Sequence, residues 1–293
     1  MIKSSRIALA QTKAVIGNIE KNVSHHLEFI DKAIAEKADA IIFPELSLTG
    51  YTLRDLNLDV AIAPWNDPRL EEIRKRSKEI AIICGGVERV KSGGVHNAAF
   101  VFEDGELIHT HHKIYPPTYG IFEEQRYFLA GNKAIAFESK RLGKVGVLVC
   151  EDLWHPSLPY LLAHQGAQCI ITIAASPTRL EGVDRDNDPN TPANYEINRE
   201  HHSAYARLLS LYMAFVNRVG VEDGVNFWGG SELVDPSGSV QTVAKFFEED
   251  LVIGTLDPVA VRRSREYSRH MLDEDLLLTR EMFDETIMGN RKL

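Results

Sequence analysis

A thiol, a carboxylate and an ammonium, each set at the end of a strand-like run, are the residues here with chemistry to offer. Cys150 ends Lys144-Val145-Gly146-Val147-Leu148-Val149 and opens Glu151-Asp152-Leu153-Trp154; Glu45 follows Ala40-Ile41-Ile42-Phe43-Pro44; Lys113 follows His109-Thr110-His111-His112. A thiol attacks a carbonyl carbon only as thiolate, and reaches that state near neutral pH with the help of an adjacent base and a cation. Glu45 is suited to take the thiol proton and return it to a departing nitrogen, which requires a carboxyl of raised pKa in a closed site. The Lys113 ammonium and the backbone N–H of Glu151 are suited to stabilise an oxyanion, at about 3 to 4 kcal/mol per well-placed donor. Water activated by Glu45 would then release the acid, so this acyl transfer needs neither metal nor organic cofactor. Each residue alone has a plainer reading: Cys150 as a core thiol, Glu45 as a helix-capping acid, Lys113 as an exposed charge at a strand end. Their joint occurrence in matching contexts favours the chemistry.

The elements that position them alternate. Arg6-Ile7-Ala8-Leu9-Ala10 reads as a buried strand, and Val23, Leu27, Ile30 and Ile34 recur at helical spacing. Ala40–Phe43 is a second strand stopped by Pro44, so Glu45 falls just past its end, where open α/β sheets hold ligands. Asp67-Pro68 reads as an N-cap followed by a first-turn proline, and Ala81-Ile82-Ile83-Cys84 as a further strand. Asp104-Gly105, between Ala98–Phe102 and Glu106–His109, is a hairpin turn that predicts antiparallel neighbours and hence a mixed sheet. The run to Val149 is the most apolar strand candidate and ends at Cys150. Beyond it, Leu158–Leu162 opens a helix, Cys169–Ala174 is a strand, and the segment from the Asn194 region through Tyr205 to Phe215 reads as helix. The polar, proline-bearing stretch from Thr178 to Arg199 reads as an ordered lid or a mobile loop.

Phe43–Tyr51, His112–Pro116 and Val149–Trp154 together resemble the Glu-Lys-Cys signature of the nitrilase, or carbon-nitrogen hydrolase, superfamily, in the same order and strand context as far as about Gly238. Within it the chain is most similar to the glutamine-hydrolysing domain of glutamine-dependent NAD synthetases, through Pro44–Leu56, Tyr119–Phe128 and Cys150–Trp154. The resemblance implies an α/β fold, a four-layer α-β-β-α sandwich with mixed sheets. It implies a hydrolase domain over residues 1–258, leaving 259–293 as a C-terminal extension that either enters an oligomer interface or covers its own sheet. It implies a second glutamate that positions the lysine and the substrate. In Phe122-Glu123-Glu124-Gln125 the matching position is Glu124, with Glu123 as the alternative. Tyr119, Glu151 and Ser176 match positions that contact glutamine, although the 178–199 stretch departs from the synthetase pattern and reshapes the expected pocket. The family also implies homo-oligomers, dimers or higher.

Composition bounds the rest. The 293 residues carry a formal charge of −9, which gives no basic face for nucleic acid, and no run reaches the roughly 18 to 20 apolar residues of a membrane helix. Met1–Arg6 runs into a strand with no signal-peptide core, and three scattered cysteines suit reduced thiols, so a cytoplasmic protein is expected. Cys84 and Cys169 read as core thiols. His109, His111 and His112, with His201 and His202, lack the acid or cysteine spacing of a metal site. Asp184–Asp188 imitates a calcium loop, but Pro189 stands where glycine is required; Ser92-Gly93-Gly94 lacks the lysine of a phosphate loop and reads as a hairpin turn. The expected reaction is hydrolysis of a small linear amide, an ω-amide such as glutamine or an N-carbamoyl compound, with nitriles the least favoured. The rival is a glutaminase subunit or regulatory protein working with a separate, ammonia-accepting synthetase. A catalytically idle scaffold would have lost one of Glu45, Lys113, Glu124 and Cys150, and all are present.

Overall fold

A computed structural model of the chain describes residues 4–91, 93–178 and 192–290. The calcium-loop imitation at 184–188, Ser92 of the glycine turn and most of the 178–199 stretch therefore lie outside the described residues.

The strands are β1 (Ser5–Gln11), β2 (Ala40–Ile42), β3 (Ala81–Arg89), β4 (Val95–Glu103), β5 (Glu106–His112), β6 (Phe137–Ser139), β7 (Gly143–Val149), β8 (Cys169–Ala174), β9 (Tyr212–Asn217), β10 (Val219–Glu222), β11 (Val225–Trp228), β12 (Glu232–Val234), β13 (Val240–Val243) and β14 (Asp250–Leu256). They form two six-stranded sheets, ordered β14-β1-β2-β3-β4-β5 and β13-β12-β9-β8-β7-β6, with β10 and β11 as a separate hairpin. β1, β2 and β3 run parallel, as do β7, β8 and β9, and the remaining pairings are antiparallel. Both sheets are mixed, as the hairpin signal predicts. At that turn Asp104 and Gly105 have φ of 54° and 87°, the left-handed pair that a tight hairpin demands.

The apolar runs lack alternation because both faces of these strands are buried. On β1 to β3, Ala8, Ile41 and Ile82 face one cluster while Ile7, Ile42 and Ile83 face another. The second cluster joins the sheets, since Val147, Ile171 and Val216 enter it from β7, β8 and β9. The helices are α1 (Ile19–Ala35), α2 (Asn57–Val60), α3 (Glu71–Arg76), α4 (Glu124–Tyr127), α5 (Ser157–His164), α6 (Ala193–Leu209), α7 (Pro258–Tyr267) and α8 (Leu276–Asn290). α1 and α3 cover the outer face of the first sheet through Ile30 and Ile73; α5 and α6 cover the second through Leu162 and Ala206. The result is a four-layer α-β-β-α sandwich. Each such aliphatic side chain, once fully buried, contributes about 1.5 to 3 kcal/mol.

Helix starts follow their sequence signals: Asn18 accepts from the Lys21 N–H at 3.0 Å, and Asp67 accepts from Arg69 N ahead of Pro68. The helix expected to run to Phe215 is a correction. α6 stops at Leu209, Ser210 turns the chain at φ 48°, and Tyr212–Phe215 belongs to β9, inside the second sheet. Beyond the strands, α7 adds Val261 to the core between the sheets, whereas α8 leaves Leu277, Phe283 and Met288 exposed. Among the described residues no helix is long and apolar enough to cross a membrane.

Candidate active site

Glu45 stands on a turn built by its neighbours. Pro44 ends β2, Leu46 takes φ 49°, and the turn presses onto β3 at Gly85, where a Cβ would lie 2.3 Å from Leu46 N. Only glycine allows that approach. Ser47 is fixed from behind by His26 of α1, whose Nε2 lies 3.0 Å from the hydroxyl. Lys113 leaves β5 with its N–H bonded to Asn97 O at 2.9 Å, and its carbonyl accepts from Gly131 N at 2.8 Å.

These turns bring the predicted charges together out of water. Lys113 Nζ lies 2.8 Å from Glu45 Oε1 and 2.7 Å from Glu124 Oε1, with all three side chains buried. Of the two candidate glutamates, Glu124 is buried against Lys113 and Glu123 is exposed. Asn97 spans the carboxylates, its Nδ2 donating to Glu45 Oε1 at 2.6 Å and to Glu124 Oε2 at 3.3 Å. Tyr51 donates its hydroxyl to Glu124 Oε1 at 2.6 Å, and the backbone N–H of Ala175 donates to Glu45 Oε2 at 2.7 Å. Burial disfavours the Lys113 cation, but Glu124, Glu45 and the Cys150 sulfur outweigh it and hold its pKa well above the ordinary lysine value. Burial and the neighbouring Glu45 push the Glu124 carboxyl up against the pull of Lys113.

Cys150 follows β7 on a one-turn helix over Cys150–Trp154, with φ 47°, a left-handed conformation that is strained for a residue bearing a Cβ. Asp152 ties this turn to the Lys113 segment. Its Oδ1 accepts from Ile114 N and Tyr115 N at 2.9 and 3.0 Å, while its Oδ2 accepts from Val149 N at 3.1 Å and lies 2.8 Å from His111 Nε2. Burial first, then the charges of Glu45 and Glu124, push the Cys150 thiol well above its ordinary pKa, with Lys113 and the Ala175 N–H pulling the other way.

Cys150 opens into a cavity of about 70 Å³ that Tyr119, Glu151, Trp154, Ser176 and Asn198 also line. Tyr119 donates its hydroxyl to Glu151 Oε2 at 2.8 Å, and Ser176 Oγ accepts from the Trp228 indole at 3.1 Å. The sequence-predicted residues thus share one site. Cys84 and Cys169 lie in the two core clusters with their thiols pushed up by burial. The histidines scatter: His109 stacks on Phe137, His111 pairs with Asp152, His112 bonds Glu88, His201 meets the Trp154 ring, and His202 pairs with Glu232.

Sequence reasoning missed Asn97, Ala175, Asp152 as a tie between turns, and Trp154, Asn198 and His202 as cavity lining. The acid beside Cys150 was the signal for Asp152. Asn97, early in an ordinary strand, carried none.

Comparison with known proteins agrees with this geometry. Residues 6–266 match the family model described as carbon-nitrogen hydrolase. The chain is 31% identical over 262 residues to a glutamine-dependent NAD(+) synthetase of Acinetobacter baylyi, covering 87% of this chain and 45% of that protein. The solved glutamine-dependent NAD+ synthetase of Acinetobacter baumannii superposes with a TM-score of 0.76 at 32% identity, covering 88% of this chain and 47% of that one. The chain therefore spans about half the length of the synthetases it matches. An amidase from Nesterenkonia sp. AN1, solved with acrylamide, shares the fold over 95% of this chain and 97% of its own, with a TM-score of 0.77 at 22% identity. With its two mixed sheets and matched almost from end to end, this chain belongs to the carbon-nitrogen hydrolase family of enzymes.

Proposed function

We propose that the chain hydrolyses the carbon-nitrogen bond of a small linear amide, ω-amide or N-carbamoyl compound through a thioester on Cys150. As Sγ attacks the carbonyl carbon, its proton passes to Glu45. Lys113 and the Glu151 N–H receive the oxyanion. Glu45 returns the proton to the nitrogen, which leaves as ammonia or amine; water, losing a proton to Glu45, then attacks the thioester and regenerates the thiol. Glu124 and Asn97 hold Lys113 and Glu45 in place. The observation that carries this reading is the Lys113 ammonium held between two buried carboxylates, 2.8 and 2.7 Å away, beside a cysteine on a strained turn. No step calls on a cofactor.

A second reading, a glutaminase whose ammonia passes to a synthetase, is supported by the relatives, glutamine-dependent NAD(+) synthetases of which the chain matches 45% and 47%. Three unpaired cysteines suit a reducing cytoplasm. The exposed apolar residues of α8 suit a homo-oligomer in which the 259–293 extension is covered by a second copy.

The test is ammonia release from glutamine, ω-amides, aliphatic amides, N-carbamoyl amino acids and nitriles, for the wild type and Cys150→Ala. Turnover that survives the substitution sinks the mechanism. Silence on every compound, with a thiol that also resists alkylation, sinks the stand-alone hydrolase and favours the partner-dependent reading.

A further inference from the structure

A second, smaller lobe opens off Cys150 on the side away from Tyr119. It measures about 20 Å³, room for one water-sized group, and shares Cys150, Trp154, Ser176 and Asn198 with the larger cavity. Its inner wall is formed by His202 of α6 and Phe215 of β9, their rings 4.6 Å apart. His202 is 1% exposed, and its Nδ1 lies 2.6 Å from Oε1 of Glu232, equally buried on β12. Glu232 Oε2 also accepts the Tyr195 hydroxyl at 3.3 Å. With two donors turned on it, Glu232 is an acceptor, so His202 Nδ1 carries the proton and the free ring edge is Nε2. That atom is shut off from solvent and has no hydrogen-bond partner among the described residues. Buried polar atoms are normally satisfied, and an unpaired nitrogen on a ring that lines a cavity, its orientation fixed by a carboxylate, leaves one hydrogen bond for a ligand to make.

We propose that His202, oriented by Glu232, is the specificity residue of a subsite for a hydroxyl- or amino-sized branch on the carbon next to the scissile carbonyl. The substrate class is accordingly a 2-hydroxy or 2-amino carboxamide, whose longer chain runs into the 70 Å³ cavity while the branch enters the small lobe. With Nδ1 turned to Glu232, Nε2 is the atom left to accept the hydrogen of that branch. Glutamine, whose carbon next to the scissile carbonyl is a CH2, leaves the lobe unfilled. The inference rests on Cys150 as the nucleophile and deepens that reading by naming the acyl group.

The experiment compares 2-hydroxypropionamide with 2-methylpropionamide, which differ only in hydroxyl for methyl. Two ratios are measured: kcat/KM for ammonia release, and protection of Cys150 against iodoacetamide, which reads binding even without turnover. The wild type is expected to favour the hydroxyamide by about 10- to 100-fold. His202→Phe is expected to bring the ratio to near one or reverse it, and His202→Gln, which keeps a polar end, to retain part of it. Because each result is a ratio within one preparation, partial misfolding does not mimic it. A wild-type ratio near one, a ratio that survives His202→Phe, or no protection by the hydroxyamide overturns the proposal. Absence of ammonia from every amide overturns the hydrolase reading instead, with the protection ratio still reporting on the subsite.

Discussion

The two polar clusters near Cys150, one around Glu45 and one around His202, are both buried, yet their carboxylate and imidazole groups are finished differently. Around Glu45 every carboxylate oxygen is taken: Glu45 by Lys113, Asn97 and Ala175 N, Glu124 by Lys113, Tyr51 and Asn97. At His202 the imidazole is held at one nitrogen and open at the other. Carboxylates whose oxygens are all taken are preorganised. An open nitrogen discriminates, because its unmet bond is made by some substrates and not by others.

The harshest way to break the contrast is Cys150→Ala, expected to cost on the order of 10⁴-fold or more in turnover while the melting temperature holds, since the nucleophile acts as a unit with its base. Retained turnover, measured as ammonia release, would put the chemistry elsewhere. Lys113→Met is expected to cost about 10²- to 10³-fold through the lost oxyanion donor. It also leaves Glu45 and Glu124 buried without their cation, at about 3 to 5 kcal/mol of stability by urea unfolding. A stable variant would mean the cluster is less tightly coupled than its bonds imply.

Asp152→Ala touches no substrate, but it frees the N–H groups of Val149, Ile114 and Tyr115 and the His111 ring. A loss of about tenfold is expected in kcat with KM little changed, as for misplacement of reacting groups; a pure KM effect would argue against a positioning role.

The mildest test concerns His26, behind the Glu45 turn, where burial, helped by His25, lowers its pKa from 6.5 to about 4 despite the Asn22 carbonyl. The unfolded chain takes up this proton near 6.5 and the folded one near 4, so stability is full above about pH 6.5 and falls as pH drops towards 4. The loss is on the order of 3 kcal/mol at the lower end. Urea midpoints at two pH values should show that slope, and His26→Gln should flatten it; an unchanged slope would assign the acid sensitivity to other groups.

Legibility in the sequence followed the same division. Glu45, Lys113 and Cys150 could be found because each follows the end of a strand, and strand ends are where such sheets place chemistry. Asn97 could not, being one polar residue within a strand. His202 sits in the polar run Arg199-Glu200-His201-His202, and its partner Glu232 lies thirty residues on, in a three-residue strand that no periodicity reveals. Tyr212–Phe215 was misread as helix because a short apolar run fits either period, and the turn that ends α6 uses Ser210 where glycine is the usual signal.

The division of the site residues between two sheets has a consequence for the order of folding. Glu45 and Lys113 come from the first sheet and Cys150 from the second, and Glu45 Oε2 is held by a backbone N–H that follows β8. The first sheet is itself completed by β14, which pairs with β1 across almost the whole chain. The first sheet is therefore complete only once Leu256 has folded back onto Ser5, some two hundred residues after Glu45 has taken its place in the chain.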